Sequence, residues 1–180
     1  MGLISAFTLI RALSLFHMTA AYFFLVSPRI IVDQSLVVVL GEAMRLPHVT
    51  TLSKPSESSA FIAFLLFFLG FSDFVAASLP ELTALEYWSS QTPVRLFVLF
   101  LTTGYVYAFK PDGVFGSGVT VGYVPGVTAS PADNLKNSLV FSAGFTEITL
   151  WFWAYLLLKD ERRALAVKIA EKRRMEENML

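Results

Sequence analysis

Cysteine is absent from this chain. Its absence excludes disulfides, thiolate metal sites, iron–sulfur clusters and cysteine nucleophiles. It leaves the compartment open, because a membrane bundle needs no covalent staples. Histidine is scarce, and His17 and His48 do not supply the spacing of a zinc motif. Neither a G-x-S-x-G elbow nor a Walker loop occurs, so no cofactor is expected and no catalytic constellation stands out. Charge is sparse as well. Asp, Glu, Lys and Arg make up 16% of the 180 residues, where an average soluble domain carries about 25%. Net charge is zero, which gives no reason to expect direct contact with nucleic acid.

What fills the chain instead is apolar. Hydrophobic residues account for 55%, Phe alone for 17 positions, and the mean hydropathy is +0.61. Four apolar stretches dominate, at 3–26, 59–79, 93–109 and 137–158. At about 1.5 Å per residue, roughly 20 residues cross a hydrocarbon layer of about 30 Å. The first, second and fourth meet that length; the third is near the lower limit. Pro93 suits the first turn of a helix, where its missing N–H is no loss.

The first stretch lacks a basic n-region and a well-placed small-x-small cleavage site, and is read as a retained transmembrane helix. Segment 30–46 holds Asp33, Glu42 and Arg45 among its apolar residues. It reads as a helix lying in the interface or packed against the bundle. Segment 110–134 carries Gly113, Gly116, Gly118, Gly122 and Gly126 with three prolines, and reads as a flexible loop. Its Gly116-Ser117-Gly118 lacks the third glycine, strand and helix of a dinucleotide site. The expected fold is all-α: a membrane bundle of four transmembrane helices, the helix near 30–46, and a charged helical tail over 159–180. Half of the basic residues lie in that tail (Lys159, Arg162, Arg163, Lys168, Lys172, Arg173 and Arg174). The positive-inside rule puts it in the cytosol, and four spans then put the N-terminus there too. Tyr87, Trp88, Trp151, Trp153 and Tyr155 read as interfacial aromatics.

Ionisable residues interrupt the apolar stretches: Arg11 and His17 in the first, Asp73 in the second, Arg95 in the third and Glu147 in the fourth. Charge at such depth needs a partner or a wet cavity. Asp73 lies roughly 9 Å in from Leu79 and Arg11 roughly 12 Å in from Leu3, on the same side. Arg95 lies close to that face, able to snorkel as a headgroup anchor. Asp73 therefore has two possible cationic partners, Arg11 and Arg95. Glu147 lies about 16 Å from Leu158, near mid-depth, with His17 within a turn of that level. An Arg–Asp pair that pins helices, and a Glu147 that packs helices or stands protonated, are one reading. A ligand-facing or proton-carrying role is the other.

The run Glu42-Ala43-Met44-Arg45-Leu46-Pro47-His48-Val49-Thr50 is followed by Gly70-Phe71-Ser72-Asp73 and Tyr87-Trp88. Pro93-Val94-Arg95-Leu96, Phe145-Thr146-Glu147 and Asp160-Glu161-Arg162-Arg163 come next, in that order. Over 36–163 the chain resembles the fungal "increased loss of mitochondrial DNA" protein family, departing from it in the glycine-rich insertion and the tail. The resemblance implies a small multi-pass protein of the endoplasmic reticulum membrane with a genetic link to the mitochondrial genome. It carries over no catalytic residues. The expected function is a non-enzymatic membrane subunit or scaffold, with membrane lipids and protein partners in the membrane. A lipid- or sterol-handling bundle with an acidic cavity, or an ion or proton pathway, are the alternatives.

Overall fold

The computed structural model describes residues 4–116 and 131–178, and every long element among them is an α-helix. They are α1 (Ala6–Val26), α2 (Pro28–Val32), α3 (Ser35–Ala43), α4 (Glu57–Ala76), α5 (Glu81–Ala108) and α6 (Ser138–Glu177). A short 3-10 turn (Pro131–Leu135) precedes α6. Most of the glycine-rich segment expected as a loop lies outside the described residues.

The caps explain where the helices begin. Ser5 accepts from the Thr8 N–H ahead of α1, and Asn137 accepts from Val140 N–H ahead of α6. Ser56 and Ser59 exchange side-chain and backbone hydrogen bonds in a capping box ahead of α4, which satisfies N–H groups that have no partner within the helix. That box starts α4 at Glu57, two residues before the apolar run expected from 59.

The four long helices alternate in direction. The Ala6 N–H at the start of α1 donates to Glu161 late in α6. Arg11 reaches the Ala77 carbonyl at the end of α4, and Trp88 early in α5 stacks on Trp151 of α6. Two antiparallel pairs result, α1 with α4 and α5 with α6. Gly70 permits the first pair: a Cβ there would lie 2.8 Å from the Ser14 carbonyl oxygen and 2.9 Å from His17 Cβ. Small residues at helix crossings are what membrane packing favours.

At the end holding Glu161 the two pairs close on a shared core of Ile10, Leu13, Ala77, Leu85, Trp88, Trp151 and Leu158. The polarity is inverted relative to a soluble bundle. Asp73 is 3% exposed while Phe64, Phe68 and Phe97 are each more than 60% exposed. A surface this apolar is compatible with lipid surroundings.

Among the described residues, α1, α4 and α6 are long and apolar enough to cross a bilayer. A fourth span at 93–109 is not among them, and the helix is not what the sequence suggested. α5 starts at Glu81, after Pro80, and runs 28 residues with Pro93 in its interior rather than in its first turn. Residues 81–92 bring Glu81, Glu86, Ser89, Ser90 and Gln91 into the helix, and its more apolar half still carries Arg95, Thr102 and Thr103. The buried contacts of Trp88 and Thr92 hold that polar half helical through the proline.

The single helix expected at 30–46 is instead two. The chain breaks at Asp33–Gln34, where Asp33 takes the guanidinium of Arg29 at 2.9 Å. α3 then packs on α6 and ends in a Schellman turn. Leu46 N–H reaches the Gly41 carbonyl at 2.8 Å, and Arg45 N–H the Glu42 carbonyl at 3.1 Å. Arg45 sits at the left-handed position with φ 52°, a place usually given to glycine. Lys110, buried, donates to the Met44 carbonyl at 2.6 Å and so neutralises the negative end of α3. α6 continues unbroken through the charged tail to Glu177.

Candidate functional site

Besides the Ala6–Glu161 bond at one end, two polar contacts join one helix pair to the other, and both use the ionisable residues of the apolar stretches. Asp73 of α4 takes both guanidinium amino groups of Arg95 of α5, at 2.6 and 3.0 Å. The side chains are 4% and 16% exposed. A two-pronged pair of this kind fixes orientation as well as distance. The Arg95 guanidinium also lies 4.3 Å from the Trp151 ring centre and 5.6 Å from that of Trp88, so its charge is shared among a carboxylate and two aromatic faces.

The second contact is between His17 of α1 and Glu147 of α6, with Nε2 and Oε1 2.7 Å apart. The other Glu147 oxygen accepts from the Trp151 indole N–H at 2.9 Å. Trp151 therefore touches both systems: it donates to Glu147 and stacks on Arg95. The result is one connected cluster, Asp73–Arg95–Trp151–Glu147–His17, across four helices.

Arg11 stands outside it. Its guanidinium donates to the Ala77 carbonyl at 2.9 and 3.2 Å, capping α4 rather than pairing with Asp73. Arg95 is no headgroup anchor: with α5 starting at Glu81, it falls mid-helix and inside the bundle. Trp88 and Trp151, read from sequence as interfacial aromatics, are fully buried. One signal for Trp151 was present in the sequence. Glu147 and Trp151 are four residues apart on a helix, the spacing at which side chains meet.

Above the cluster, on the side away from the Glu161 end, the two helix pairs part. The gap is a cleft of about 780 Å³, with α2 and α3 along one side. Phe23, Phe24, Ile62, Leu66, Leu99 and Leu139 supply its apolar walls, and His17, Arg95 and Glu147 lie among its lining. The volume falls in the range of about 300–1,000 Å³ typical of small-molecule sites, which are likewise apolar with a few polar groups. Sequence periodicity could not reveal it, because a cleft arises from the angle between helix pairs. Among the described residues no three His, Asp or Glu side chains cluster as metal ligands.

Residues 4–168 match the family described as increased loss of mitochondrial DNA protein 1. The match covers most of the chain, and the chain belongs to that family. Membership ties it to the loss of mitochondrial DNA. No curated protein and no solved structure matches it.

Proposed function

We propose that this family member is a multi-pass protein of the endoplasmic reticulum membrane that works without catalysis by holding a lipid between its helix pairs. Its connection with mitochondrial DNA is then indirect, through membrane composition rather than contact with nucleic acid. α5 serves as the fourth span, and the basic end of α6 lies on the cytosolic side, in keeping with the positive-inside rule. The cleft then opens toward the lumenal half of the bilayer.

The observation that carries this reading is the cleft itself. Apolar walls ending on a charged, internally neutralised floor suit an amphipathic ligand. The same cluster supports a role without bond chemistry, since Asp73, Arg95, Glu147 and His17 are each engaged with one another.

A subunit or scaffold role is the second reading, favoured by the tail of α6. Residues 159–177 carry charges of both signs on an exposed helical arm, a surface suited to a protein partner. The two readings separate in cells. An Ala143→Phe variant fills the cleft from an exposed wall position, whereas truncation before Ala166 removes the exposed arm and keeps Glu161 and Leu165, which pack on the bundle. Lipid holding requires that Ala143→Phe accumulate normally yet fail to maintain mitochondrial DNA. If only the truncation fails, the scaffold reading takes its place.

A further inference from the structure

We infer that the cleft takes an uncharged lipid whose head is a hydroxyl, a sterol or a diacylglycerol, with that hydroxyl set between Arg95 and Glu147. The inference rests on the lipid-holding reading above and narrows it to one head chemistry.

The floor sets the charge of the ligand. Arg95 is the one full cation among the described lining residues, and its charge is answered by Asp73 through two hydrogen bonds. A phosphate head would find no free cation there, and it would face the Glu147 carboxylate. Depth adds to this. The floor lies at the level of His17 and Glu147, the one near the middle of its helix and the other mid-way along the apolar part of its own, where an unpaired charge is costly and a hydroxyl is far less so.

The floor also sets the hydrogen bonding. A guanidinium has five N–H donors, and only two of those of Arg95 are used on Asp73. One Glu147 oxygen accepts from the Trp151 indole N–H and the other shares a proton with His17 Nε2, and each keeps a further lone pair. Both side chains retain some exposure, 16% for Arg95 and 19% for Glu147. A spare donor and a spare acceptor, both held against Trp151 and both lining the cleft, match a hydroxyl, which accepts from one and donates to the other. A ketone in its place could only accept, and would leave the Glu147 lone pair unanswered.

The walls favour one apolar body. The cleft of about 780 Å³ lies within the small-molecule range and is bounded by α2 and α3.

The test uses the full-length protein in detergent–lipid micelles with photoactivatable sterol and diacylglycerol probes. Labelling is competed with unlabelled sterol, its 3-ketone, diacylglycerol, acetylated diacylglycerol, phosphatidic acid and sphingosine. One of the two hydroxyl lipids should compete, which identifies the source. Its competition should fall about tenfold for the 3-ketone if sterol is the ligand, or for the acetylated head if diacylglycerol is, as expected for one lost hydrogen bond in a dry site. Phosphatidic acid and sphingosine should compete at least about tenfold more weakly. Ala143→Phe should abolish labelling while eluting as a folded particle. Equal competition by phosphatidic acid or by sphingosine would overturn the head assignment while leaving the cleft as a lipid site. No saturable labelling by any probe would overturn both.

Discussion

Replacing Asp73 by Asn tests whether the cross-pair ion pair holds the bundle together. The substitution keeps the shape of the side chain and removes its charge. Arg95 then remains inside the bundle with its principal counter-charge gone. Removing one partner of a buried pair costs about 3–5 kcal/mol. The substituted carboxamide retains one acceptor oxygen, and the stacked Trp151 and Trp88 rings still face the guanidinium. The loss should therefore fall near the lower bound, about 3 kcal/mol.

The double replacement Asp73→Leu with Arg95→Leu removes both charges and fills the space with apolar carbon. It should lie between neutral and about 4 kcal/mol more stable than the parent, because neither desolvation nor an orphaned charge remains. The sign of the double relative to the singles is the informative quantity. Arg95→Lys should behave like a single loss, since a lysine can neither fork onto both carboxylate oxygens nor stack in the same way. The assay is reversible unfolding in mixed micelles, followed by tryptophan fluorescence, which reports on Trp88 and Trp151 directly. Singles as stable as the parent, or a double as unstable as the sum of its singles, would refute the reasoning.

Three further expectations follow from particular contacts. Arg45→Gly should stabilise the protein by about 1 kcal/mol by relieving a left-handed residue; its exposed contact with Asp112 at 3.7 Å offers little in return, and the same unfolding assay reads the sign. Gly70→Leu should cost at least about 1–3 kcal/mol and separate α1 from α4, visible as loss of a disulfide engineered between those helices. Ser56→Ala should cost about 1 kcal/mol by removing half of the capping box of α4, read as faster amide exchange over its first turn.

Much of the architecture was legible because lipid imposes a simple rule. Long apolar runs interrupted by single charges gave the helical class, three helices long and apolar enough to span, and, Arg11 apart, the ionisable residues that face inward. Depth arithmetic put His17 level with Glu147, and the two lie within hydrogen-bond distance. It offered Asp73 two partners and could not choose between them. The choice depends on which helices are neighbours and at what rotation, and that is settled by packing around Gly70, Trp88 and Trp151.

The start of α5 was misplaced for a related reason. Pro93 is a local stop signal, and buried tertiary contacts on its N-terminal side overrode it. The break between α2 and α3 reflects the opposite case, a local turn at Asp33–Gln34, where the Gln34 N–H reaches the Ile31 carbonyl, ending a helix that periodicity alone would have continued. The cleft left no trace in the sequence, since its lining is drawn from α1, α4, α5, α6 and the α2–α3 segment.

The central claim is that a lipid sits between the helix pairs, and native mass spectrometry of the protein released gently from its own membranes tests it most directly. The expected spectrum is one chain carrying one uncharged lipid, retained as detergent is stripped, with that mass lost in Ala143→Phe. A chain free of lipid and bound in fixed ratio to another protein would contradict the account.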